Sequence, residues 1–304
     1  MPKYLSGLIN ALMVHYNPKT WFNLIFHSYS RQVLKTLLPA LGFMAAFTIG
    51  VCYFILDVLE MNPAHFPGTT AVHSLLGIVL GLFLVFRTNS AYDRWWEGRK
   101  LWGGLVNSTR VFAMKLNAYL SHEDHEQREW FARMIANFIY ATKEHLRKGV
   151  QFAELEVPDE DFIEDIRRVK HRPNRIAAKM WERTNELYRA GKITGDHLIN
   201  LDKELKDFID LIGGCERIRN TPIPYSYTMY IKKFIFIYII TLPFGLISTF
   251  GYFTIATVLL VSFVLLSVEL IAEEIEDPFG RDINDLPTDE LAGKIRENVQ
   301  EILL

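Results

Sequence analysis

The sequence predicts an all-α membrane protein: four transmembrane helices per subunit joined to a helical cytosolic region. Three observations predict it. Residues 36–86 and 234–280 contain no Lys or Arg, although the chain of 304 residues carries 33 of them. A cation is costly at the bilayer centre, so such gaps mark membrane crossings. Each gap holds apolar runs near the roughly 20 residues that a spanning helix needs. Outside the gaps, apolar residues recur at three- to four-residue steps with no alternating strand pattern.

Each element follows in order. Residues 1–32 form a cytosolic or interfacial amino-terminal segment with Trp21, Phe22, Phe26 and Tyr29. Such rings suit the headgroup zone or the surface of a cytosolic helix. Residues 33–91 hold the first two spans. The first, 33–56, carries one charge, Lys35, at its inner end. The second, 71–86, is short and is completed by 66–70 or 87–91. The connection 57–70 has two acids, Asp57 and Glu60, and no base. The positive-inside rule therefore puts it outside and both termini in the cytoplasm of a multi-pass inner (plasma) membrane protein. No signal-peptide pattern is apparent in the first 20 residues.

Residues 92–230 read as a helical cytosolic domain. Leu101, Leu105, Val106, Phe112, Leu116 and Leu120 mark one long helix. Phe131, Ile135, Phe138 and Ile139 mark the next. Residues 152–174, with Pro158 and Pro173, suggest a loop and a short helix; 176–190 and 194–215 suggest two amphipathic helices. The third and fourth spans fill 231–273, with Pro243, Gly245 and Gly251 interrupting them and an outer hinge near 244–251. The tail, 274–304, breaks at Pro278 and Gly280 and ends in a helix starting at Thr288. Cys52 and Cys215 fall in different environments, so no disulfide framework is implied.

Several constellations are candidates for function. Ile78, Leu82 and Phe86 are spaced four apart and share one helix stripe, with Gly77 and Gly81 beside it. The stripe suits either lipid packing or, around a symmetry axis, a hydrophobic constriction. Arg87, Arg94, Arg99 and Lys100 interleave with Trp95, Trp96 and Trp102 as an interfacial anchor; the topology argues against nucleic acid. His122, Glu123, Asp124, His125 and Glu126 are too compact in sequence to reach one ion together and read as a solvated turn. Asp277, Asp282, Asn284 and Asp285 offer oxygens beside a Pro/Gly break whose carbonyls would be free to help, so they read as an acidic turn or a calcium site. Glu269, near the inner end of the last span, is an ion-path acid, a group facing cytosolic water or a partner for a neighbouring base. No nucleophile motif or nucleotide loop argues for an enzyme.

Together the segments FLVFRTNSAYDRWWEGRKLWG, CERIRNTPIPYSYT and EDPFGRDINDLP resemble the bestrophin family of ion channels, and its bacterial branch in particular. The resemblance covers roughly residues 20–290. It implies a homopentamer in membrane lipid with the second span lining a hydrophobic neck. Placed relative to RWW, the neck is Ile78, Leu82 and Phe86; counting back from Cys215 places a cytosolic aperture at Ile199. Animal members have Phe at the middle neck position, where ring edges favour anions; here it is Leu82. Similar bacterial members are associated with monovalent cations. The expectation is therefore conduction of Na+ or K+ over chloride, with Asp57 and Glu60 at the outer mouth adding a cation bias. An anion (chloride or bicarbonate) channel of the same fold is the alternative, and a non-conducting scaffold a more distant one. Asp282 and Asp285 match two aspartates of the animal calcium clasp, with Asp277 where a backbone carbonyl would serve. The long acidic run is missing, so no cofactor is required and calcium gating is unsupported.

Overall fold

The computed structural model describes residues 28–60, 69–147, 149–158 and 161–304. The aromatic amino-terminal segment up to residue 27 and the centre of the 57–70 connection lie outside the described residues. Nine α-helices are described: α1 Ser28–Tyr53, α2 Thr69–Tyr119, α3 His125–His145, α4 Phe162–Arg168, α5 Arg172–Arg189, α6 Gly195–Asn220, α7 Tyr225–Phe250, α8 Thr254–Glu276 and α9 Thr288–Leu303. No strand occurs among the described residues.

Three stretches are long and apolar enough to cross a membrane: Val33–Val58, Thr70–Tyr119 and Tyr225–Glu276. The third contains two helices. The predicted interruption is narrower than expected: α7 continues through Pro243 and Gly245 and ends at Gly251, whose φ of 50° is open to glycine. Pro243 removes one donor from the helix but does not stop it. Gly245 is required for a different reason. A Cβ there would lie 2.5 Å from His73 Nδ1, so the missing side chain lets α2 approach α7.

The chain divides into two compact units. One comprises 28–93 and Pro222–Glu276 of the described chain. In it, Met44, Leu80, Leu84, Ile231, Ile235, Ile239, Leu242 and Val258 form a thin buried seam. The other comprises Arg94–Thr221 and Asp277–Leu304. Its core is larger and aromatic, with Phe112, Phe131, Phe138 and Phe208 wholly buried. Phe112 meets Phe131 and Phe208 edge-on at centroid distances of 6.1 and 5.5 Å.

Local chemistry explains the helix ends. The Thr194 hydroxyl accepts the backbone N–H of His197, capping α6. The α5 helix starts at Arg172, inside the 152–174 segment read as a loop and a short helix and ahead of the expected start at 176, because Pro173 sits in its first turn and the His171 ring caps it. The α9 helix begins at Thr288, as its sequence predicts. The α2 helix shows no break where the membrane segment was expected to end near residue 91.

Candidate functional site

Four residues advance a helix by about 400°, so Ile78, Leu82 and Phe86 lie within an arc of about 80° on α2. They are 72, 57 and 55% exposed. His73, Gly77, Leu80, Leu84 and Arg87 occupy the opposite side of the helix by the same arithmetic. That opposite side is the one packed on the rest of the unit. His73 Nε2 is 3.1 Å from Thr241 Oγ1, and the Thr70 hydroxyl donates to the Gly245 carbonyl at 2.7 Å. Gly77 faces Tyr238, whose hydroxyl would lie 2.9 Å from an added Cβ, whereas Gly81 faces open space. The apolar stripe is thus turned away from the other helices of its unit.

Arg87 anchors this helix from behind. Its side chain is fully buried, with Nη2 2.7 Å from Glu276 Oε2 and Nε 3.7 Å from Glu269 Oε1. Both carboxylates belong to α8, two turns apart on one face. Glu269 thus lies in an internal ion pair with a base on a neighbouring helix. Sequence reading placed Arg87 in an interfacial cluster; the structure gives it this buried position instead. The signal was present in the seven-residue spacing of Glu269 and Glu276, but a single cation more than 180 positions earlier gave no reason to pair it with them.

The other candidates lie as follows. Asp57 hydrogen-bonds the Tyr252 hydroxyl, joining the end of α1 to the turn between α7 and α8. Glu60 is exposed with φ 44°, a left-handed backbone uncommon for a side-chain-bearing residue. Ile199 is 70% exposed on the first turns of α6. An apolar cavity of about 350 Å³ lies between α1, α7 and α8, lined by Leu37, Phe43 and Phe236 with Lys232 and Glu273 at one end; it contains no residue of the 78/82/86 stripe.

The tail loop is fastened by protein groups. Asp285 Oδ2 accepts the backbone N–H of Asp282 at 2.5 Å, and Leu286 N–H donates to the Pro278 carbonyl at 2.9 Å. Trp95 Nε1 donates to the Asn284 carbonyl at 2.9 Å. The carbonyls of Phe279 and Gly280, expected to be free, accept from Arg147 Nε at 3.1 and 3.2 Å. A guanidinium thus occupies the place beside them that a metal cation would take. Among the described residues, three metal-type side chains converge within 4.8 Å at two other places, not at Asp277, Asp282 and Asp285. As arranged, these three do not fit a calcium site. Burial raises the Asp285 carboxyl to about 7, with Asp282 and Asp277 adding to the effect and the Asp282 N–H opposing it.

The HEDHE stretch spans the turn before α3 and the first two residues of that helix, and Asp124 pairs with Lys192 at 2.6 Å. Cys215 is buried, and burial pushes its thiol up to about 12, so it is unreactive at neutral pH. Cys52 is also a free, buried thiol.

Apolar helices of spanning length, one with an exposed apolar edge backed by a buried ion pair, mark a membrane-embedded protein. The family model described as bacterial/fungal bestrophin protein matches residues 13–301. The chain belongs to that family, whose members are ion channels and not enzymes. It is 37% identical over 233 residues to the voltage-dependent anion channel-forming protein alr2987 of Nostoc sp., covering 74% of this chain and 75% of that one. It is 34% identical over 294 residues to the like-named protein sll1024 of Synechocystis sp., covering 94% and 93%. A bacterial bestrophin homologue from Klebsiella pneumoniae superimposes with a TM-score of 0.79 at 28% identity, over 88% of this chain and 98% of that one.

Proposed function

We propose that five copies of this chain surround a common axis and conduct monovalent ions through a neck formed by Ile78, Leu82 and Phe86. The observation that carries this reading is the orientation of α2: its apolar edge faces away from its own subunit while the opposite edge is packed and ion-paired. A ring of such edges makes a dry constriction that an ion enters only by shedding water, and that gates by wetting and dewetting. In this arrangement 33–91 and 231–273 cross the inner membrane four times. Residues 92–230 and 274–304 lie in the cytoplasm with both termini, and Ile199 narrows the inner mouth.

Two readings of the permeant ion have separate support. The curated relatives are named as anion channel-forming proteins, and this favours anions. The side chains favour cations: Leu82 replaces an aromatic ring, and the one base at the neck, Arg87, is neutralised by two carboxylates. Reversal potentials in asymmetric salt separate them, because the sign of the shift reports the sign of the permeant ion. Leu82→Phe should move that potential toward anions if ring edges act at this level. Leu82→Ala and Phe86→Ala should raise single-channel conductance several-fold without loss of assembly. Unchanged currents in both alanine variants would overturn the neck assignment.

A further inference from the structure

Three side chains from three helices meet in the unit formed by Arg94–Thr221 and Asp277–Leu304. His145 ends α3, His171 caps α5, and Glu216 lies on α6. Both imidazoles point Nε2 at the same carboxylate oxygen, Glu216 Oε1, at 2.7 and 2.6 Å. The two rings are 4.6 Å apart between centroids. One ligand-type atom from each residue lies within 4.8 Å of those from the other two. All three side chains are between 24 and 34% exposed, so a solvated ion can reach them. The backbone around them is tied: Arg219 donates to the carbonyls of His145 and Arg147.

We infer that His145, His171 and Glu216 form a binding site for zinc(II) or a chemically similar divalent transition metal. Two imidazole nitrogens and one carboxylate oxygen are a ligand set for a borderline-soft cation, with water in the fourth tetrahedral position. Calcium and magnesium prefer sites built of oxygen ligands, so they are poor occupants. The ion would replace two N–H···O contacts with three metal–ligand bonds and would cross-link the ends of α3 and α5 to α6. One hydrogen bond opposes it. His171 Nδ1 accepts the Asn174 backbone N–H at 3.2 Å, whereas ligation through Nε2 requires that Nδ1 carry the proton. Occupancy therefore releases the α5 cap. The site is independent of the pore reading, since none of its residues belongs to the neck.

The test is zinc titration by calorimetry of the full-length, chelator-stripped protein in detergent. One zinc per chain should bind with micromolar or tighter affinity. Glu216→Gln and His145→Ala should each weaken binding at least about tenfold. His171→Asn separates the two roles of that residue, because an Asn side chain is a good helix cap but removes the nitrogen ligand. It should lose zinc while the metal-free melting temperature stays unchanged. Cobalt(II) added to the wild type should give the intense visible bands of four-coordinate geometry; weak six-coordinate bands would overturn the assignment. It would likewise fail if no saturable binding occurred at sub-millimolar zinc, or if all three variants bound as the wild type does.

Discussion

Phe112, Phe138 and Phe208 are wholly buried in the unit of Arg94–Thr221 and Asp277–Leu304, while Ile78, Leu82 and Phe86 stand exposed in the unit of 28–93 and Pro222–Glu276. In the first, water drives apolar side chains together and nearly every large one has an internal partner. In the second, lipid, neighbouring copies or a lumen can face the apolar side chains, so burial within one chain loses its meaning as a measure of importance. Buried charges occur in both units, Lys143 and Glu144 in the first and Arg87 and Glu269 in the second. The buried guanidinium of Arg87 holds the apolar unit together from inside. The comparison teaches that the same residue type is packed inside one unit and left exposed on the other.

The largest expected effect tests the aromatic-core side of that comparison. Phe208 packs against Phe112 and Phe138, and Phe208→Ala should destabilise by about 3–5 kcal/mol, read as thermal unfolding in detergent. Arg87→Ala should be of similar size, about 3–5 kcal/mol, because it removes the buried cation that Glu269 and Glu276 both face. Glu276→Gln should be more damaging than Glu269→Gln, following the 2.7 and 3.7 Å separations. An Arg87→Ala protein as stable as wild type would break the contrast between the units.

A smaller effect comes from Asp285. Its folded value of about 7 lies above the ordinary 3.8, so the folded protein holds a proton that the unfolded chain has released. The associated stability is full below pH 4 and is lost as the pH rises to 7. Asp285→Asn, which keeps an oxygen for the Asp282 N–H, should remove this slope and raise the melting temperature at pH 8 by a few degrees. Equal pH profiles for the two proteins would show that the carboxyl is not buried as described. Smallest of all should be the stability change in Ile78→Ala, about 1 kcal/mol or less, since few internal contacts are lost. A loss as large as that of Phe208→Ala would mean that the stripe packs within its own subunit.

Much of the helical order was legible before any coordinates. The gaps in Lys and Arg located the apolar segments, Thr288 marked the last helix, and the 194–215 segment marked the start of α6. Pro243 misled because proline signals a break in water, whereas within a packed apolar helix the turn came at Gly251. The tail carbonyls misled because Arg147 lies more than 130 positions away. The His145–His171–Glu216 cluster was invisible for the same reason: its members are 71 and 45 residues from the shared glutamate.

By itself the sequence determined which segments are apolar, that the chain is helical, and which face of α2 is greasy. Those properties depend on neighbours within a turn or two of the chain. Only the tertiary structure decided which side of α2 is packed, where the Arg87 charge is neutralised, and which histidines meet. Such pairings require residues far apart in the chain to be brought within a few ångströms, and no local spacing encodes them.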